Sequence, residues 1–233
     1  MKLLSTLFIL SLALPGRGQG QGDSIPAEVR RRIAQAVWPE NLFDSLGRPE
    51  SGFVRREFRP AFHDLLIRQA SPIRDLPGVT VWMGNAYPSE CSHCRSVVRG
   101  VARRGTTFIT LMEPEDLELL ADWVDPPFER ADTVRVRQFV VNFFRSTCFL
   151  RCEIQLVSRG DTADPDLRFF RAVEQAKKSV TIPRMYSHVS SAGLTVEFPL
   201  RSLNAIYRIR AERNYRGVFS LRVTPVAYNM LGP

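Results

Sequence analysis

Apolar residues recur along this chain at two spacings, and the balance between them changes near residue 75. In SIPAEVRRRIAQAVW, residues 24–38, Val29, Ile33 and Val37 fall on one side of a 3.6-residue repeat, with Arg30, Arg31 and Arg32 around the rest. Ser24 precedes the run and Pro26 suits a first turn, so the segment predicts a helix. A second helix is predicted over RPAFHDLLIRQA, residues 59–70, where Phe62, Leu65 and Leu66 form a stripe. The turn-rich NLFDSLGRPESG lies between them.

From Pro77 onward β-branched and aromatic runs take over. PGVTVWMG (77–84) and TTFITLM (106–112) predict strands. Between them, residues 92–104 predict a helix, weakened by Gly100. EPEDLELLADWV (113–124) predicts a helix opened by Pro114 and early carboxylates, and DPPFERAD a loop. TVRVRQFVVNFF (133–144) starts in strict alternation and becomes a continuous apolar run, the pattern of a strand entering a core. CFLRCEIQLVS (148–158) reads as its continuation or hairpin partner. A helix is predicted within residues 160–179, with Asp164 as cap and Pro165 as first residue, and another over SLNAIYRIRAERNY (202–215) behind Ser202. SVTIPRM, GLTVEFPL and GVFSLRVTPV predict strands. Together these predict an α+β fold, with N-terminal helices followed by mixed strands and helices. A single domain over residues 19–233 is expected, with a sub-boundary near 74–77.

The opening MKLLSTLFILSLALPGRGQGQG has the basic, apolar and small-residue regions of a secretory signal peptide, placed at residues 1–18. Its apolar run, Leu3 to Leu14, is too short to cross a bilayer as a helix, and no later run is longer. A secreted, extracellular chain with no transmembrane anchor is therefore expected. The remaining ~215 residues, 44% apolar in the whole chain, are enough for a core. The net charge is +8, and arginine carries nearly all of the positive charge, because Lys2, Lys177 and Lys178 are the only lysines. Without Lys2 and Arg17 about +6 remains, a balance suited to acidic partners: glycosaminoglycan, anionic lipid or nucleic acid. Secretion and the lack of arginines interleaved with aromatic residues argue against a nucleic-acid partner. No Asn-x-Ser/Thr triplet is present, so N-glycosylation is not expected.

Four cysteines, Cys91, Cys94, Cys148 and Cys152, follow the leader, and an exported chain meets oxidising conditions. Their Cys-x-x-Cys and Cys-x-x-x-Cys spacings leave structural disulfides, a redox dithiol and a structural zinc site open. Two structural disulfides are the leading expectation. If Cys148 and Cys152 share an extended strand, their Cα atoms are about 13 Å apart at ~3.3 Å per residue. That exceeds the ~7 Å reach of a disulfide, so each would pair with one of Cys91 and Cys94. Such bridges would close loops of about 55 residues and contribute about 3–4 kcal/mol each. A helix or tight turn at CFLRC would restore local pairing.

The order strand, Cys-x-x-Cys, helix, strand over residues 79–142 resembles the thioredoxin-like fold. Cys91-Ser92-His93-Cys94 is similar to the Cys-Pro-His-Cys of periplasmic disulfide oxidases. The resemblance implies Cys91 as attacking thiol, Cys94 as resolving thiol and His93 as the group that lowers the thiol pKa. The chain departs from that family where a cis-proline is expected, since Arg137 or Gln138 stands there, and NAYPSE lengthens the approach to the motif. The same order is similar to zinc-dependent nucleobase deaminases. However, Glu90 replaces their proline, and His63 is followed by Asp64 and Leu65, so their His-x-Glu is missing. Neither a metal nor a cofactor is expected.

No Gly-x-Ser-x-Gly elbow, His-Glu-x-x-His or glycine-rich phosphate loop occurs, and His63, His93 and His188 are the only histidines. The carboxylates of EPEDLE read as an acidic first helical turn. Arginines cluster at 30–32, at 55, 56 and 59, at Arg95, Arg99, Arg103 and Arg104, and through 201–222, which holds Arg208, Arg210 and Arg213. On the predicted helix Arg95, Arg99 and Arg103 recur every four residues and form a ridge matched to sulfate or carboxylate. The expected function is that of a secreted, non-enzymatic binding protein: a ligand, an inhibitor or a soluble subunit of a surface receptor or envelope complex. Arg95, Arg99, Arg103, Arg104, Arg208, Arg210 and Arg213 are its expected binding residues. The alternative is a thiol-disulfide oxidoreductase using Cys91, Cys94 and His93. The runs EPEDLELL and NFFRSTC also resemble glycoprotein L of the herpesviruses, a small secreted subunit without an anchor, which implies the soluble-subunit role.

Overall fold

The computed structural model describes residues 25–37, 66–86, 97–150, 153–157, 170–173, 180, 182–203 and 205–229. The signal segment, Cys91, His93, Cys94, Arg95 and Cys152 lie outside them. Helix α1 (Ala27–Val37) forms as its periodicity predicts, burying Val29, Ile33, Ala36 and Val37 on one stripe. Its outer face carries Glu28 paired with Arg31 and Arg32 at 2.7 and 2.6 Å. Those guanidiniums, Arg31 before Arg32, hold the Glu28 carboxyl below its ordinary value.

Strands β1 (Leu66–Gln69), β2 (Val79–Ala86), β3 (Val97–Arg104) and β4 (Thr107–Leu111) form an antiparallel meander in chain order. The sheet is two-faced, because successive side chains alternate sides. Trp82 and Val101 pack with Val29, Ile33 and Val37 of α1, while Val81, Met83 and Ala102 enter the main core. Gly100 leaves room for the Met83 side chain where the sheet meets that core: a Cβ there would lie 2.8 Å from Met83 Sδ.

A ten-residue 3₁₀ helix (Pro114–Trp123) follows, then α2 (Thr133–Thr147). Asp116 accepts from the Met112 and Glu113 amides at 2.5 and 2.9 Å, so the acidic first turn is a cap, as its sequence predicts. The larger sheet runs β5 (Gln155–Leu156), β8 (Gly193–Arg201), β9 (Ala205–Asn214), β10 (Phe219–Asn229) and β6 (Phe170–Ala172), and β7 (Tyr186–Ser190) pairs with β8. Every pairing is antiparallel. Leu194, Val196, Phe198, Leu200, Ile209, Ala211, Phe219 and Leu221 line its inner face and share one core with α2, the 3₁₀ helix and the smaller sheet. Ile73 and Leu76, at the predicted sub-boundary, are buried in that same core. Beside them Asp75 pairs with Arg135 of α2 at 3.1 Å. The fold is therefore α+β, with mixed helices and antiparallel sheets.

Several local expectations fail. Residues 133–147 are helical, not extended. Val136, Phe139, Val140, Phe143, Phe144 and Thr147 recur at helical spacing and are buried together, so the 3.6-residue stripe outweighs the β propensity of valine. Residues 97–104 form β3 instead of a helix, and residues 66–69 form β1. Residues 170–172 form β6 inside the expected 160–179 helix. Residues 205–214 form β9: the alternation Ile206, Arg208, Arg210, Glu212 against Tyr207, Ile209, Ala211 is a strand pattern. Ser202 does cap, but it caps a turn. Its buried hydroxyl accepts from the Ala205 amide at 3.1 Å and joins β8 to β9. SVTIPRM has no strand among its described residues, whereas GLTVEFPL and GVFSLRVTPV form β8 and β10.

Candidate functional site: the outer face of the larger sheet

The outer face of the larger sheet is built by register. Directly opposed residues on antiparallel strands project to the same side. Tyr186 on β7, Glu197 on β8, Arg210 on β9 and Arg222 on β10 are successive partners, so they form one row across four strands. At ~4.8 Å between strands this row spans about 14 Å. His188, Thr195, Glu212 and Ser220 form the next row, and Pro199, Arg208 and Thr224 the row on the other side. Tyr186, His188, Arg208, Arg210, Ser220, Arg222 and Thr224 are all exposed.

The charges on this face interlock without cancelling. Arg210 holds Glu212 through Nε at 2.6 Å and Nη2 at 2.5 Å, and this hydrogen bond raises the guanidinium pKa further above its ordinary value. Arg208 approaches Glu197 at 3.6 Å. Among the described residues no carboxylate pairs with Arg222. The Tyr186 and His188 rings stack at 6.2 Å along one edge. The face thus presents exposed arginines in a fixed two-dimensional array with an aromatic border. Such an array matches carboxylate groups on another surface.

The arginines predicted as a helical ridge are placed differently. Arg95 lies outside the described residues. Arg99 and Arg103 are on strand β3, about 13 Å apart at ~3.3 Å per residue, and do not form a ridge. Arg99 is largely buried: Nη1 donates to the Val98 carbonyl at 2.9 Å, Nη2 lies 3.8 Å from Glu113, and Nε has no hydrogen-bond partner among the described residues. Arg103 stands over the Trp82 ring at 6.0 Å, and exposed Arg104 donates to the Trp123 carbonyl at 3.4 Å. Arg208 and Arg210 share the outer face, whereas Arg213 lies on the inner side at the end of β9. Sequence reasoning did not select Tyr186, Glu197 or Arg222. The period-two pattern of VEFPLR and SLRVT carried the signal, because it puts Glu197 and Arg222 on the side that the apolar residues leave.

The cysteine expectations are placed only in part. Cys148 is disulfide-bonded, and its partner lies outside the described residues. It occupies the left-handed C-cap of α2, with φ of 54°, and Phe149 and Leu150 turn immediately after it. Cys148 is thus not on an extended strand, and the distance argument for cross-pairing lapses. The strand–helix–strand order behind the thioredoxin-like resemblance is absent from the described residues, since residues 97–104 pair antiparallel with both β2 and β4. Among the described residues no cluster of His, Cys, Asp and Glu is placed to hold a metal ion, and no helix is long and apolar enough to cross a membrane. No family model matches the chain, no curated protein matches it, and no solved structure matches it.

Proposed function

We propose that this protein is a secreted, non-enzymatic binding protein that docks an acidic extracellular or surface protein on the outer face of its larger sheet. The observation that carries this reading is the row of exposed Tyr186, Arg210 and Arg222 with half-buried Glu197, flanked by exposed Arg208. Tyrosine and arginine are the residues that protein interfaces favour, because each covers a large area and ends in a polar group. A rigid β-sheet lowers the ordering cost of binding, since its side chains are already fixed in register. Fixed positive charge also speeds encounter with an acidic partner. Disulfides linking Cys91, Cys94, Cys148 and Cys152 complete the scaffold in this reading, and the secretory leader supplies the oxidising compartment.

Arginine footprinting tests this reading. The mature protein is treated with hydroxyphenylglyoxal, free and bound to heparinase-treated cells, and modified peptides are quantified by mass spectrometry. Arg208, Arg210 and Arg222 are expected to be protected in the bound state while Arg104 stays reactive. Equal modification of all four in both states overturns the reading.

A further inference from the structure

The end of the larger sheet that carries Arg213 holds a second constellation, separate from the outer face. Three chain segments meet there: the loop before α2, the turn joining β7 to β8, and the turn joining β9 to β10. They enclose an open cavity of about 350 Å³ lined by Arg130, Gly193, Leu194, Arg213, Asn214 and Tyr215. Arg130 reaches across from the loop and donates to the Ser191 carbonyl at 2.6 Å, which fixes its guanidinium at the rim. Arg213 comes from the inner face of β9, where the apolar lining ends at its cross-strand neighbours Leu194 and Phe219. Among the described residues neither arginine has a carboxylate partner. Both guanidiniums thus line one opening with their charge unpaired, and an anion seated there is attracted to both.

The rest of the lining narrows the kind of anion. Asn214 Oδ1 already accepts from the Arg216 and Val218 amides at 2.9 and 3.0 Å, so its side chain has only N–H groups left to offer. Exposed Tyr215 adds an aromatic wall, backed by Arg216 at 5.3 Å from its ring. The backbone walls are in tight contact: a Cβ at Gly193 would lie 2.2 Å from the Arg213 carbonyl oxygen. The cavity therefore offers donors and a ring, with little apolar floor for an anchoring protein side chain. Donors around a tetrahedral oxyanion, beside a ring that a sugar face can cover, suit a sulfated saccharide unit.

We propose that Arg130 and Arg213, with Asn214 and Tyr215, form a sulfate-binding site for an extracellular sulfated oligosaccharide. It is independent of the protein-docking face.

A heparin hexasaccharide titrated into the mature full-length protein by calorimetry tests this. Binding is expected with the sulfated probe and not with its desulfated counterpart or with polyglutamate. Arg213→Gln is expected to weaken it about tenfold, the usual effect of losing one hydrogen-bonded charge, and Arg130→Ala with Arg213→Gln to abolish it. Because Arg130 also ties two loops together, Arg213→Gln alone carries the test should the double variant melt early. The triple variant Arg208→Gln, Arg210→Gln, Arg222→Gln should keep wild-type hexasaccharide affinity, so failure here is distinguishable from failure of the docking face. Unchanged affinity in a folded Arg213→Gln variant overturns the proposal. Equal binding of polyglutamate also overturns it and assigns the cavity to an acidic peptide.

Discussion

At the residue scale, backbone geometry at one glycine makes the sharpest claim. Gly193 has φ of 142°, and a side chain there would collide with the Arg213 carbonyl at 2.2 Å and Asn214 Cα at 2.8 Å. Both contacts are backbone and cannot swing away. Gly193→Ala is therefore expected to cost about 2–3 kcal/mol, the range of a strained backbone position. Urea denaturation checks this, and a loss under ~0.5 kcal/mol would show that the β8–β9 approach is looser than described. Glu28 makes a second claim. With its folded pKa depressed by Arg31 and Arg32, its contribution to α1 is present above the ordinary carboxyl pKa of 4.5 and is lost as pH falls through the lower folded value. Carbon-13 NMR of the Glu28 carboxyl should give a midpoint below 4.5; a midpoint at or above it contradicts the pairing.

At the element scale, α2 organises the core. Phe139 is fully buried and meets Phe128 edge-on at 5.4 Å and Phe219 at 6.3 Å, so it joins the helix, the preceding loop and β10. Phe139→Ala should cost about 3–5 kcal/mol in chemical denaturation. Asp75 with Arg135 clamps α2 to the segment before β2, and Asp75→Ala should cost about 1 kcal/mol, because half-buried Arg135 keeps Asp132 at 3.7 Å and the Pro127 carbonyl at 3.3 Å. A melting temperature unchanged by either substitution would contradict this packing.

The same elements show how far the sequence could be read. Helix α1 and strands β2, β4, β8 and β10 were legible because one periodicity dominates each. Helix α2 was not, because its first six residues alternate and its valines favour strands, while the decisive helical stripe emerges only over four turns. Strand β9 was misread for the opposite reason: Ser202 offers a helix cap, but the alternation from Ile206 to Glu212 decides the outcome. The site followed the same logic. Arg208 and Arg210 stand out as a charge cluster, but the row of Arg210 with Tyr186, Glu197 and Arg222 comes from successive strand pairings whose ends lie 36 positions apart in the chain. No local pattern encodes that register.

At the scale of the whole molecule, two sheets and α2 share one core, α1 packs on the other face of the smaller sheet, and arginine decorates surfaces that differ in character. Arg99 and Arg103 are held by their own neighbours, whereas Arg208, Arg210 and Arg222 face solvent on one rigid plane. The charge that composition reveals only as a sum is thus sorted by the fold. Peptide mapping of the mature protein should find Cys148 in a disulfide under non-reducing conditions. A protein with Cys148 as a free thiol would contradict the stapled scaffold.

The most direct test of the docking face is quantitative binding of labelled mature protein to heparinase-treated cells. Wild type is compared with the variant carrying Arg208→Gln, Arg210→Gln and Arg222→Gln, at matched melting temperature. The wild type should bind saturably, lose affinity as salt rises and lose its sites when surface proteins are shaved by protease. The variant should bind at least tenfold more weakly, on the order of 1.4 kcal/mol. Equal affinity of the two proteins would contradict the assignment of the outer face as the docking surface.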